Sequence, residues 1–286
     1  MPYLKEPEPL RRKSEVVVPG IRRIVANNPS VMTYHGTNTY LIDDEQGTTV
    51  LDPGPLDEAH LHDVLEAVSG RVTRILLTHT HSDHVGNAAA LRQATGAPIY
   101  SHVISAEPHR PDVPLSAGDT VAGMTVVHTP GHAADHVCFA RGDGLLFSGD
   151  HVMGWSSTVV GPPHGNMKDY LESLRALRQR SDRLYLPGHG PALPDPHPYI
   201  DDLLRHRIDR ETEIVATLRK RPMSPTDVAR HLYAKLDPTL SRAAERNVLS
   251  HLDKLAAEGR VEQIGELWRS VEDEWESGSS MERRGF

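Results

Sequence analysis

Short apolar runs separated by turn residues recur through the N-terminal part of the chain, and longer stretches of helical period fall between them. Residues 72–77, Val-Thr-Arg-Ile-Leu-Leu, are β-branched and leucine-rich and predict a buried strand. Similar runs predict strands at 21–26, 39–43, 48–52, 98–101, 124–128, 137–141, 145–148 and 184–186. Residues 57–68 are amphipathic, residues 83–92 are alanine-rich with Asp83 suited to cap a helix start, and residues 166–180 place Leu171, Leu174 and Leu177 at helical spacing. This alternation predicts an α/β layered domain.

The pattern changes after residue 190. Residues 191–198 contain four prolines, which predicts a semi-rigid connector rather than a helix or central strand. A long charged helix is expected over 199–220, with Leu203, Leu204, Ile208, Ile214, Val215 and Leu218 as its apolar positions. Ser224-Pro225-Thr226-Asp227 supplies a cap, a proline for the first turn and an acidic residue, so a second helix follows. A third, from about residue 240, carries Val248, Leu249, Leu252 and Leu255 and stops at Gly259. Residues 260–271 read as two short strands joined at Gly265, and helices followed by a hairpin resemble a winged helix. The expected organisation is an N-terminal extension (1–20), a main domain (21–195), a winged-helix-like domain (196–272) and a frayed polar tail (273–286).

The chemistry is concentrated where strands end. Thr78-His79-Thr80-His81-Ser82-Asp83-His84 sits between a predicted strand and a predicted helix. His79 and His81, two apart in extended chain, can turn their rings to one side, while Asp83 and His84 are adjacent as the chain enters the helix. Three later strands each deliver one more group: His132 after Pro130-Gly131, Asp150 after Gly149, and His189 after Pro187-Gly188. Neutral imidazole and carboxylate are ligands for Zn²⁺ and similar divalent ions, with Fe and Mn equally compatible. A single strand-end His is ordinarily a hydrogen-bonded surface residue; four coordinated segments point to a metal centre.

With these residues the chain resembles the metallo-β-lactamase superfamily over about residues 21–191. That resemblance implies an αββα sandwich with metals at one edge between the sheets. It implies two Zn²⁺, one held by His79, His81 and His132, the other by Asp83, His84 and His189, with Asp150 bridging. It further implies a bridging water ionised by the metal pair, which also polarises the bond under attack, and Asp83 placed to orient that water. Asp52, in Leu51-Asp52-Pro53-Gly54, matches a position that orients a ligand, and reads equally as a turn aspartate. The combination with the C-terminal module resembles the β-lactamase-like protein 2 branch, which includes an animal mitochondrial single-strand endoribonuclease and fungal polyketide thioesterases. By that match Asn38 and His35, around Gly36-Thr37-Asn38-Thr39-Tyr40-Leu41, line the metal cleft or belong to a turn, and Gly154-Trp155-Ser156 follows Asp150 at a substrate-facing loop.

Composition limits the partners. A net charge of −8 over 286 residues argues against a general polyanion-binding surface. Arg242, Arg246, Lys254 and Arg260 lie on or beside the third C-terminal helix, yet Glu245, Asp253 and Glu258 interleave with them, as on a solvated face. The module is therefore expected to pack over the active-site mouth or against a homodimer partner rather than on nucleic acid. The proline-rich, charged N-terminus lacks an apolar leader and no stretch is long enough to span a bilayer, so the expected location is cytoplasmic, without membrane contact, and lactam specificity is not expected. Cys138, the sole cysteine, reads as core and excludes an intrachain disulfide. His60 and His62 fall on a helix expected to be exposed, while His151 and His164 are within possible reach of a substrate. The expected function is a binuclear zinc hydrolase acting on a small-molecule acyl ester, thioester or lactone. Cleavage of single-stranded RNA is the alternative, and a nucleic-acid-binding protein with an idle metal domain is a third reading.

Overall fold

A computed structural model describes residues 3–68, 70–105 and 108–271 of the chain; the tail reading for 273–286 lies outside the described residues. In chain order the elements are β1 (Glu15–Val18), β2 (Ile21–Val25), β3 (Asn38–Asp44), β4 (Gly47–Leu51), α1 (Glu58–Ala67), β5 (Val72–Leu76), α2 (Ser82–Val85), α3 (Ala88–Thr95), β6 (Ile99–His102) and β7 (Val113–Leu115). There follow β8 (Thr120–Val121), β9 (Met124–His128), β10 (Val137–Arg141), β11 (Leu145–Gly149), α4 (Met167–Arg178), β12 (Leu184–Pro187), β13 (Leu193–Pro194) and α5 (Pro196–Lys220). The remaining elements are α6 (Pro225–Leu232), a 3₁₀ turn (Pro238–Leu240), α7 (Ser241–Ala257), β14 (Val261–Ile264) and β15 (Leu267–Ser270). Two compact units divide within α5, between Arg205 and His206.

Strand alternation builds the N-terminal unit. Successive side chains point to opposite faces, so Tyr40 and Ile42 of β3 join Phe139 of β10, Phe147 of β11 and Leu186 of β12 in one cluster between the two sheets. Their neighbours Cys138, Leu146 and Tyr185 point the other way and pack with Leu171 and Leu174 of α4 and Ile200 and Leu203 of α5. On the far side, Leu41, Val50 and Ile75 pack with Val64 of α1 and Leu91 of α3. The result is four layers, helix, sheet, sheet, helix. The first sheet runs β1 to β7 in sequence order, and the second runs β13-β12-β11-β10-β9-β8. Strands β4, β5 and β6 are parallel, as are β11 and β12, so Asp52, His79, Asp150 and His189 follow strands whose carboxyl ends lie together. Ligand sites of open α/β sheets form at such ends. Cys138 is fully buried, and burial pushes its thiol up to about 12.

Several local expectations are corrected. The helix after the histidine run is broken into α2 and α3 at Gly86-Asn87, and Asp83 lies inside α2 instead of capping it; the N-cap position is His81, without a side-chain cap. The break has a packing cause: a Cβ on Gly86 would lie 2.2 Å from the Leu56 nitrogen, and the Asn87 side chain exchanges hydrogen bonds with the Asp57 backbone. The proline-rich segment is no free connector. Leu193–Pro194 forms the edge strand β13 against β12, where a missing N–H costs nothing, and Pro196 and Pro198 occupy the first turn of α5, where the N–H groups have no intrahelical partner. His60 is buried, with Nε2 2.8 Å from the Thr39 hydroxyl, so α1 uses this polar residue on its inner face. Among the described residues no helix is long and apolar enough to cross a membrane.

The C-terminal unit packs Ile214 and Leu218 of α5, Val228 of α6, Val248, Leu252 and Leu255 of α7 and Trp268 of β15 around one core. Ser224 caps α6 through the Asp227 N–H, and β14 pairs with β15 as an antiparallel hairpin. At the edge of this core, His251 is fully buried with Nδ1 3.4 Å from a Glu211 carboxylate that also accepts from Lys254. Burial holds the His251 imidazole down to about 4, against the upward pull of Glu211. The unfolded chain takes up this proton near pH 6.5 and the folded unit does not, so stability is unaffected above that pH and falls as pH drops from about 6.5 to about 4, by roughly 3 kcal/mol. Urea midpoints of wild type and His251→Gln, followed by amide exchange in α7, should diverge over that window. Parallel curves would show that His251 is not the group responsible.

Candidate metal centre

Seven side chains from four segments converge at the carboxyl edge of the two sheets. One nitrogen or oxygen from each of His79, His81 and His132 lies within 4.8 Å of the others, and the same holds for Asp83, His84 and His189 and for His79, His84 and Asp150. The Nδ1 of His81 faces the Nε2 of His79 at 3.0 Å and the Nε2 of His132 at 2.9 Å. The Nε2 atoms of His84 and His189 face each other at 3.3 Å.

The opposite nitrogen of four of these rings is tied to the protein. His132 Nδ1 donates to the Val159 carbonyl at 2.8 Å, His189 Nδ1 to the Gly36 carbonyl at 3.2 Å, and His84 Nδ1 to Asp52 at 2.9 Å. The Thr78 hydroxyl, which itself donates to Asp52, accepts from His79 Nδ1 at 3.0 Å. Each of these Nδ1 contacts turns the ring so that its Nε2 points inward. Burial lowers His79 and His132, and holds His81 down to about 3, with neighbouring imidazoles adding to the effect. Three neutral rings whose lone pairs converge lack a shared proton donor and fit a cation.

Asp150 faces both groups. Its Oδ2 is 3.4 Å from His189 Nε2 and 3.7 Å from His132 Nε2, and its Oδ1 is 3.4 Å from His84 Nε2. Asp83 Oδ2 lies 3.3 Å from His189 Nε2. Burial alone would lower His84 and His189, yet the surrounding carboxylates outweigh it: Asp150, Asp83 and Asp52 raise His84 well above the usual range, and Asp150 and Asp83 bring His189 to about 9. Asp150 is held ionised, its burial overcome by His189 and His84. The clustered carboxylates thus make the second half of the site a strong attractor for positive charge. Buried Asp150 Oδ1 makes no hydrogen bond, a further sign of an open coordination position. The donor set fits two divalent ions: His79, His81 and His132 would hold one, Asp83, His84 and His189 the other, with Asp150 shared.

Asp52 connects the parts. Its carboxylate accepts from the Thr78 N–H at 2.8 Å, the Thr78 hydroxyl at 2.7 Å and His84 Nδ1, at a left-handed backbone position with φ 49°. Asp52→Ala should reduce affinity for divalent metal about 10–100-fold, measured by competition with a chromophoric chelator. Unchanged affinity would mean that Thr78 and His84 keep their places without it.

This constellation has counterparts among known proteins. The metallo-beta-lactamase superfamily profile matches residues 32–189. The chain belongs to the metallo-beta-lactamase superfamily. It is a metal-dependent hydrolase of that superfamily, and a beta-lactamase associated winged helix domain matches residues 224–274. A Drosophila melanogaster protein named "Beta-lactamase-like protein 2 homolog" is 34% identical over 262 residues, covering 84% of this chain and 88% of that protein. An "Atrochrysone carboxyl ACP thioesterase" of Passalora fulva is 28% identical over 266 residues, covering 86% of this chain and 78% of that protein. The crystal structure of a beta-lactamase domain protein from Burkholderia ambifaria shares the fold, with a TM-score of 0.79, 24% identity and coverage of 92% and 95% of the two chains.

Three further positions within the superfamily domain differ in what the structure makes of them. Asn38 is buried beneath the His189 loop, its Nδ2 donating to the Pro187 and Gly190 carbonyls at 2.9 Å, so it clamps the loop instead of lining the cleft. The structure does not bring His35 to the cluster. Its ring packs on Tyr34 at 4.0 Å with Nε2 3.3 Å from the Glu6 carbonyl, because the Arg11 guanidinium holds the His35 carbonyl at 2.8 Å and turns the residue toward the N-terminal segment. His164 is exposed, with its ring 5.9 Å from that of His81. Sequence reading passed over His136 and Asp135. His136 is fully buried and 5.3 Å from His79, and Asp135 accepts a 2.6 Å hydrogen bond from the Thr80 hydroxyl. The spacing His132-x-x-x-His136 was the available signal, hidden because both lie in a loop where periodicity carries no information.

Proposed function

We propose that the protein hydrolyses an acyl thioester with a pair of divalent ions, zinc by preference with iron or manganese compatible, held by the seven converging side chains. The observation that carries this reading is the position of Asp150, whose two oxygens face both halves of the donor set. When bound, a divalent pair supplies an acidified water and an electrophile for the acyl carbonyl. Asp83 is the more open of the two carboxylates, 30% exposed against 9% for Asp150, and the imidazoles of His84 and His189 help keep it ionised. It is therefore the group that accepts a hydrogen bond from the attacking water and aims its oxygen at the acyl carbon. The C–S bond then breaks, the carbonyl carbon keeps the water oxygen as carboxylate, and the departing sulfur takes up a proton to leave as thiol. His164, exposed beside His81, is placed to meet the acyl group.

The named thioesterase among the relatives supports a thioester. So does the charge of the winged-helix unit. Lys254 pairs with Glu211 and Glu258, Arg260 lies 3.6 Å from both of these carboxylates, and Arg269 pairs with Glu262 on the hairpin. Cations neutralised in this way contribute little to binding a phosphate backbone. The winged helix itself favours the second reading, cleavage of single-stranded RNA. A panel of acyl-pantetheine thioesters, esters, lactones and a single-stranded RNA separates the two. Thioester turnover should be nearly insensitive to salt, whereas RNA cleavage that falls steeply with salt, without thioester turnover, would replace this reading.

A further inference from the structure

Behind the metal centre, a chain of buried polar groups leaves the backbone of Asp150 and returns to the same strand end. The Asp150 N–H donates to His136 Nε2 at 3.2 Å. Because Nε2 is the acceptor, the proton of the neutral ring sits on Nδ1, which donates to the Thr129 hydroxyl 2.8 Å away. That hydroxyl is left to donate to Cys138 Sγ at 3.3 Å, and the Cys138 thiol donates to the Ser148 carbonyl at 3.7 Å. Between the Asp150 N–H that starts the chain and the Ser148 carbonyl that ends it, His136, Thr129 and Cys138 each accept once and donate once in a consistent direction, and all five residues are buried. Gly149 lies inside the loop so formed, at φ 49°, and a Cβ there would come within 2.5 Å of His136 Nε2.

We propose that this closed circuit, His136–Thr129–Cys138 bridging from Asp150 back to Ser148, is a positioning device that sets where the Asp150 carboxylate meets the two ions. It rests on the reading of Asp150 as a shared ligand, and it assigns His136 a role different from that of the seven clustered groups: its nitrogens are spent on the protein, Nε2 on the Asp150 N–H and Nδ1 on Thr129. The strand end needs such a device. The register of β11 against β12 shifts between Phe147 and Gly149, and Gly149 paired with Pro187 is the last position of that ladder, so the Asp150 N–H finds its acceptor in a side chain rather than in the sheet. An interior hydrogen-bond network whose members polarise one another resists displacement more than a single bond does.

The test compares side chains that keep or lose one link. Glutamine places its amide oxygen where Nε2 stood but gives up the Nδ1 link to Thr129, and leucine offers neither, so His136→Gln should keep affinity for Zn²⁺ and the visible spectrum of the Co²⁺-loaded protein closer to wild type than leucine does. His136→Leu should weaken Zn²⁺ binding about 10–100-fold and shift the Co²⁺ bands. Thr129→Ser and Thr129→Val form a second pair, serviceable if His136→Leu fails to fold: serine should match wild type, and valine should weaken binding in the same direction. Equal losses for glutamine and leucine, or for serine and valine, would overturn the circuit in favour of simple packing, as would unchanged affinity in all four variants. A wild-type chain that binds no divalent ion would instead overturn the metal reading, and the circuit with it.

Discussion

Asp150→Ala should lose hydrolysis by about three orders of magnitude or more, which corresponds to ~4 kcal/mol of transition-state stabilisation, and should retain at most one of the two ions. The reason is geometric. The Asp150 carboxylate faces His132 and His189 through Oδ2 and His84 through Oδ1, so it meets both groups of donors. Removing it leaves each half with three donors and takes away the negative charge that most strongly favours a cation beside His84 and His189. Turnover and bound metal should therefore fall together. Turnover measured against metal content by mass spectrometry checks this, and full activity in a variant that has lost metal would remove the proposed chemistry.

Gly188→Ala should come close to the same phenotype through a single methyl group. A Cβ at Gly188 would lie 2.4 Å from Asp150 Oδ1 and 2.6 Å from His84 Cε1, closer than any ordinary contact. The methyl can be accommodated only by moving a carboxylate and an imidazole that are both held from behind, so overpacking here costs about 1–3 kcal/mol and is spent at the ligands. Metal affinity should drop at least about tenfold, while the metal-free protein should melt within a few degrees of wild type, because the sheets and their core are untouched. A variant that binds metal normally would show that the loop between β12 and His189 is free to shift outward. This outcome is disfavoured by the Asn38 bonds to Pro187 and Gly190 that clamp it.

Much of the site was legible because its signal is chemical and local. A run such as His79-Thr80-His81-Ser82-Asp83-His84 is too rich in ligand-type side chains to be a surface accident, and the strand-end positions of His132, Asp150 and His189 follow from apolar runs that stop at glycine or proline. The layers were legible for a related reason, since Cys138 and Phe139 must face opposite ways and each finds an apolar cluster. What stayed hidden depends on contacts between distant segments. His60 reads as a surface histidine until Thr39 and Gly54 are seen beside it. The break between α2 and α3 is imposed by residues 55–57 pressing on Gly86 and Asn87, and no propensity of the broken segment announces it. Pro194 and Pro196 look like breakers, yet an edge strand and a first helical turn are the two places where proline gives up no backbone hydrogen bond. Short strands such as β7, which contains Pro114, owe their pairing to neighbours rather than to their own sequence.

Titration of Zn²⁺ into chelator-treated protein, with bound ion and thioester hydrolysis followed in the same samples, addresses the central claim most directly. The converging donors predict saturation at two ions per chain, with turnover appearing only as the second ion fills the half built by Asp83, His84 and His189. Hydrolysis that persists in the stripped protein, or binding that is unchanged when Asp150 is replaced, would contradict it.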